Sequence, residues 1–267
     1  DPYDPDALPV KRTALGRCKH ENATSVISAD GRLVVYSGDD ERFDYIYKFV
    51  TAGRVDTANR AANRNLLDEG TLYVARFEDD GRLTWLPMVH GQGPLTAANG
   101  FNSQADVLIE TRRAGDLLGA TPMDRPEDVE VLPRTGTVYA MLTNNSNRRP
   151  ANDANARARV NGPNPRAANN FGHVLAMNPP RAANGFDHAA TTFTWTVPIL
   201  CGKPDGSTEG ARYGAGTTAD GMFAAPDNVA FDNAGRMWIT TDQGEAWRGL
   251  SGASDGVFAM DVDGPGA

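Results

Sequence analysis

The stretch Arg125-Pro126-Glu127-Asp128-Val129-Glu130-Val131, Leu132-Pro133-Arg134-Thr135-Gly136, Thr137-Val138-Tyr139-Ala140-Met141-Leu142-Thr143-Asn144-Asn145 decides the fold. Apolar residues alternate in both halves around a Pro/Gly turn, which is the pattern of a β-hairpin that begins at an acid and ends at two amides. The pattern returns at Ala225-Pro226-Asp227-Asn228-Val229-Ala230-Phe231, Asp232-Asn233-Ala234-Gly235, Arg236-Met237-Trp238-Ile239-Thr240-Thr241-Asp242. An earlier copy runs Glu21-Asn22-Ala23-Thr24-Ser25-Val26-Ile27-Ser28, Ala29-Asp30-Gly31, Arg32-Leu33-Val34-Val35-Tyr36-Ser37-Gly38-Asp39-Asp40, and a third strand over 44–50 extends it into a meander. Repetition of such units predicts an all-β chain, a β-propeller of antiparallel four-stranded blades.

Around these hairpins, 70–77 and 82–88 form another pair suited to the outer strands of a blade, and 171–177, 191–198 and 256–262 read as further strands. The spacing of Ala105, Leu108, Ile109, Ala114 and Leu117 predicts a short helix. Residues 51–65 read as a surface excursion and 201–219 as a Gly-rich loop. The Asn/Arg/Pro/Ala-rich segment 146–170 is too long and polar for a tight turn, so it is either functional or mobile. Both chain ends are loop-like, which suggests that residues 1–267 are part of a single propeller domain, incomplete at both ends, from a larger chain.

Composition narrows the function. The 267 residues are 40% hydrophobic and 22% charged, with a net charge of -8, which disfavours a nucleic-acid surface and suits a protein that collects cations. No apolar run is long enough to span a bilayer, and residues 1–20 hold no signal-peptide core. Cys18 and Cys201 are too few for a disulfide scaffold. Gly91-Gln92-Gly93-Pro94 is a turn rather than a phosphate loop, and no serine sits in a nucleophile elbow. The four histidines share no ligand spacing; His20 could orient the adjacent Glu21.

Superposing the three hairpins puts Glu21, Glu127 and Asp227 at the start of the first strand. Asp39 or Asp40, Asn144 or Asn145, and Asp242 fall at the end of the second. Those two positions are neighbours in an antiparallel hairpin, so both sets lie on one rim. Taken singly, acids at strand ends are commonly solvated caps, but the coincidence across three copies favours a shared site. Converging carboxylates raise one another's pKa and call for cations. Oxygen ligands of this kind suit Ca²⁺ above all; Fe³⁺ would accept them too, but oxygen chemistry alone does not select it. Asp30, Asp79, Asp80, Asp232 and Asn233 lie in turns at the opposite end and are read as turn formers.

Several segments resemble the PhoX alkaline phosphatase family. They are Leu15-Gly16-Arg17-Cys18-Lys19-His20-Glu21, the run from Val35-Tyr36-Ser37-Gly38-Asp39-Asp40 through Phe49-Val50, Leu67-Asp68-Glu69-Gly70-Thr71-Leu72-Tyr73-Val74-Ala75-Arg76-Phe77, Met123-Asp124-Arg125-Pro126-Glu127-Asp128-Val129 and Pro226-Asp227-Asn228-Val229. The resemblance implies a bacterial β-propeller phosphomonoesterase acting on small-molecule phosphate monoesters with an iron and calcium cofactor. It also implies a periplasmic or secreted location reached by the twin-arginine route, and a monomer with no membrane or nucleic-acid partner is expected. Residue by residue it makes Glu21 an iron ligand, Glu127 and Asp227 calcium ligands, and Arg125 the phosphate-binding side chain. Arg125, two residues before Glu127, would share its strand face; its plainer reading is a salt bridge to a neighbouring acid. Arg148 is a second phosphate candidate, and Asn144 and Asp242 are further site candidates. The family's cysteine ligand to iron lies upstream of these segments, and Cys18 is read as an inert thiol rather than its substitute. Two other readings compete: a calcium-dependent lactonase or esterase propeller, and a non-catalytic calcium-stabilised binding propeller.

Overall fold

The computed structural model describes residues 3, 5–208, 210–214, 217–244, 251–252 and 254–262. The loop-like termini 1–2, 4 and 263–267 lie outside the described residues. The first meander is β1 (Thr24–Ile27), β2 (Arg32–Gly38), β3 (Ile46–Arg54), β4 (Gly70–Phe77) and β5 (Arg82–Pro87), each antiparallel to the next. Two short helices follow, α1 (Gln104–Ile109) and α2 (Thr111–Leu118), where one had been expected. The break falls at Glu110, whose φ of -100° and ψ of 42° leave the helical region.

The opening stretch folds as β6 (Pro126–Val131) and β7 (Val138–Leu142), continued by β8 (His173–Asn178), a small ribbon of β9 (Arg181–Ala182) and β10 (Gly185–Phe186), and β11 (Thr192–Leu200). Because β11 pairs with both β8 and β5, the two meanders join along their outer edges into one nine-stranded sheet, in the order β1-β2-β3-β4-β5-β11-β8-β7-β6. The last hairpin, β12 (Pro226–Phe231) and β13 (Met237–Thr241), pairs onward with β14 (Val257–Met260) as a separate sheet. This is a propeller arrangement with β1, β6 and β12, the first strand of each meander, innermost.

Alternation explains the layering. Val34 and Tyr36 on β2, and Val138, Ala140 and Leu142 on β7, enter a core enclosed by the folded sheet, with Trp85, Leu175 and Phe193. Their neighbours face outward: Val35 packs with Tyr47, Phe49, Val107 and Ala114 under the helices, while Tyr139 and Met141 pack with Phe223 and with Val229 and Ile239 of the last sheet. Strands buried on both faces read as near-continuous apolar runs.

The inner strands are bonded across the axis. Thr24 Oγ1 donates to Glu130 Oε1 at 2.8 Å, Val229 N donates to Asp128 Oδ2 at 2.9 Å, and Thr143 Oγ1 donates to the Pro226 carbonyl at 3.0 Å. Gly38, at the end of β2, lies so close to β6 that a Cβ there would sit 2.0 Å from the Glu127 carbonyl oxygen. Only glycine permits that approach, which brings Asp40 beside Glu127.

Segment 146–170 is a packed loop: Arg148, Asn164, Arg166 and Asn169 are buried within it with hydrogen-bonded side chains. The excursion 51–65 starts later than its composition suggests, since β3 continues to Arg54.

Candidate metal and phosphate site

Both hairpin copies enter the rim through a strained residue. Arg125 has φ 52° and Ala225 has φ 53°, each immediately before the proline that opens its strand. A non-glycine residue there is held away from its preferred extended region, at a cost of about 1–3 kcal/mol. The same bonds hold both turns: Thr143 N donates to the Arg125 carbonyl (3.2 Å) and Asp242 N to the Ala225 carbonyl (3.0 Å). Thr143 and Asp242 are therefore the equivalent positions, rather than Asn144 or Asn145 with Asp242. Each lies seven residues after its turn glycine, Gly136 or Gly235, and the register shift between Pro126 and Val129 is matched between Pro226 and Val229.

From that rim Glu21, Asp40 and Glu127 each offer a carboxylate oxygen, all within 4.8 Å of one another. Glu21 is exposed, Asp40 half-buried and Glu127 buried. Burial, the charges of Asp40 and Asp227 and a contrary hydrogen bond from Thr143 leave Glu127 with a pKa pushed up to about 8. Burial and the charge of Asp40 also raise that of Glu21, which shares a hydrogen bond with Glu127. Asp227 is raised to about 6, by burial first and then by Glu21, Asp242 and Asp40. The pattern is that of acids held together without enough positive charge.

Among the described residues, one cation enters the group. Arg125 lies outside the strand, so its expected place on Glu127's strand face is corrected: the left-handed turn, not strand alternation, brings its guanidinium over. Nε and Nη2 contact Asp40 Oδ1 at 2.9 and 2.8 Å, and Nη2 lies 3.1 Å from Glu127 Oε1. Nη1 has no hydrogen-bond partner among the described residues. The salt bridge and the phosphate role are thus compatible, because the fork keeps its Nη1 group free.

Other expected residues fall elsewhere. Asp242 is exposed at the rim, near enough to act on the charges of Arg125 and Asp227. Asn144 is half-buried with no side-chain bond among the described residues, and Asn145 turns inward to accept from Asn147 N. Asp39 is buried under Arg112, at 2.5 and 2.8 Å, so Asp40 is the member that reaches the cluster. Arg148 is not open to a substrate: it is fully buried with Nε on Asp124 Oδ1 at 2.7 Å. His20 does not orient Glu21; its ring bonds Ser37 Oγ and the Gly16 carbonyl. Cys18 packs under the helical layer with its thiol pKa pushed up by burial and by Asp39, as suits an inert thiol. Asp40 is one of two open choices in the sequence, while Thr143 and Asp124 lie inside the quoted stretches with no signal that sets them apart.

A propeller rim that gathers acids around an arginine has the chemistry to hold cations beside an anion. The chain belongs to the alkaline phosphatase PhoX family, whose sequence profile matches residues 1–263. Pseudomonas fluorescens PhoX, solved in complex with vanadate, a transition state analogue, is 43% identical with a TM-score of 0.89; the alignment covers 98% of this chain and 45% of that one. The chain thus spans less than half the length of that structure. A GH43_1 enzyme from Xanthomonas citri aligns over 96% of this chain and 76% of its own at 14% identity, but its TM-score of 0.26 bears on neither fold nor function. A search of curated proteins found no match.

Proposed function

We propose that residues 1–267 are part of a single propeller domain of a metal-dependent phosphomonoesterase, an alkaline phosphatase that releases inorganic phosphate from small organic phosphate esters. The observation that carries this reading is the gathering of Glu21, Asp40 and Glu127 within 4.8 Å around an arginine whose Nη1 is free. Neutral carboxyls would need no such company. Their raised pKa values and all-oxygen chemistry fit hard cations, with Glu21, Asp40, Glu127 and Asp227 as the holders. Following the family pattern, we place Fe³⁺ at Glu21 and Ca²⁺ at Glu127 and Asp227. When bound, these ions would neutralise charge developing on the phosphoryl group and activate an oxygen nucleophile.

The chain's own contribution is orientation. Asp40 and Glu127 fix the Arg125 guanidinium, leaving Nη1 to donate to a phosphate oxygen. Among the described residues no helix is long and apolar enough to cross a membrane. Export to the periplasm or beyond by the twin-arginine route, and a monomeric state, belong to the same proposal. In the full-length protein, Glu127→Ala and Arg125→Ala should each lower phosphate release from a chromogenic monoester by about 10²–10³-fold, leaving a measurable residual rate, and the wild type should not open lactones. Unchanged release in both variants, or lactone turnover, would overturn the reading.

A further inference from the structure

Behind the rim lies a buried polar network that, among the described residues, has no hydrogen bond or ion pair to a rim acid. Asp124, immediately before Arg125, is fully buried. Its Oδ1 accepts from Arg148 Nε at 2.7 Å and its Oδ2 from Asn169 Nδ2 at 3.0 Å. Arg148 uses its other nitrogens on carbonyls, Nη2 on Pro122 (2.9 Å) and Nη1 on Arg159 (3.1 Å), and stacks 4.9 Å from the centre of the Phe43 ring. Asn169 Oδ1 accepts from Gly172 N, and Asn169 Nδ2 also meets His173 Nδ1 at 3.1 Å. His173 Nε2 lies 2.8 Å from the Pro163 carbonyl, which can only accept, so the proton is on Nε2 and Nδ1 accepts from Asn169. Burial keeps this ring neutral, with a pKa lowered to about 4.

The network adjoins every non-glycine residue with positive φ among the described residues. Phe43 (φ 70°) supplies the ring under Arg148, and Arg125 follows Asp124. Ala168 (φ 46°) donates its N–H to the Arg148 carbonyl at 2.8 Å. Ala225 (φ 53°) donates to the carbonyl of Phe171, next to the Gly172 that Asn169 holds. Strained backbone persists where its surroundings over-determine it. Two of these residues launch Glu127 and Asp227, and a third stands three residues beyond Asp40.

We propose that Arg148, Asp124 and Asn169 form a positioning unit that holds Arg125 in its left-handed turn and so sets where its guanidinium meets phosphate. This rests on the phosphatase reading. The unit touches no substrate; it acts through Arg125, in one rigid piece with the second blade. A role in packing alone would lower the fraction of folded protein without altering the affinity of what remains.

The test is competitive inhibition by inorganic phosphate in the full-length protein, measured for Asp124→Asn, for Asn169→Ser, and for the paired apolar replacement Asp124→Leu with Arg148→Met. The last keeps volume without a lone buried charge and guards against a single variant that does not fold. Each variant that folds should raise both Ki for phosphate and KM for a monoester, about tenfold for Asp124→Asn, at wild-type metal content. In an Arg125→Ala background the same substitutions should leave Ki unchanged. Wild-type Ki in the folded variants, or an equal effect with and without Arg125, would overturn the positioning role. If Arg125→Ala alone leaves Ki unchanged, it is the phosphatase reading that falls.

Discussion

The rim and the network behind it are both built of charged groups, a few residues apart in sequence, yet their electrostatics are opposite. Behind the rim, Asp124 has Arg148 and Asn169 on its two oxygens. At the rim, Glu21, Asp40, Glu127, Asp227 and Asp242 share one guanidinium among the described residues, that of Arg125. A balanced set of buried charges holds backbone in place. An unbalanced set has affinity to spare, and what it lacks is positive charge from outside the chain.

The largest effect should come from breaking the balanced side. Arg148→Met leaves Asp124 buried without its ion partner and should cost about 3–5 kcal/mol of stability, read by denaturant unfolding, with or without metal. A value near zero would mean that the pair is not the anchor it resembles. Breaking the unbalanced side should do the reverse: Glu127→Ala should lower kcat/KM for a phosphomonoester by about 10²–10³-fold, the range for losing one electrostatic stabiliser, while the metal-free protein loses no stability.

pH sharpens the contrast. Glu127 at about 8 and Asp227 at about 6 are raised above their unfolded values, so between these limits the metal-free fold holds protons that the unfolded chain has released. Its stability should fall as pH rises from 5 to 9, and bound cations should flatten that slope by favouring the ionised carboxylates. Thermal melts across that range, with and without chelator, measure it; a metal-free Tm that rises with pH would contradict it. The smallest effect belongs to the far end of the strands, where Asp80 is an exposed turn former bonded to Arg82 N. Asp80→Asn should change stability by less than about 0.5 kcal/mol and leave activity alone.

Much of the rim was legible because it depends on period and repetition. Alternation around Gly31, Gly136 and Gly235 located three hairpins, and their superposition brought Glu21 and Glu127 to one place. What stayed hidden depends on backbone angles and on contacts distant in sequence. Nothing local tells Asp39 from Asp40: the difference is Arg112, on a helix 73 residues away from Asp39, which takes the first and leaves the second to the rim. Alternation put Arg125 on a strand face, but its φ of 52° takes it off the strand. The polarity of 146–170 marked it as unusual without revealing that Arg148 and Asn169 are buried inside it, since their partner Asp124 precedes the hairpin.

The central claim is that the acids of the rim exist to hold metal. It is tested most directly by elemental analysis of full-length wild type and Glu127→Ala purified side by side without added metal. Calcium and iron should be present in fixed ratio to the wild-type polypeptide, with calcium reduced in the variant. A metal-free wild type, or a variant with undiminished metal, would contradict the account.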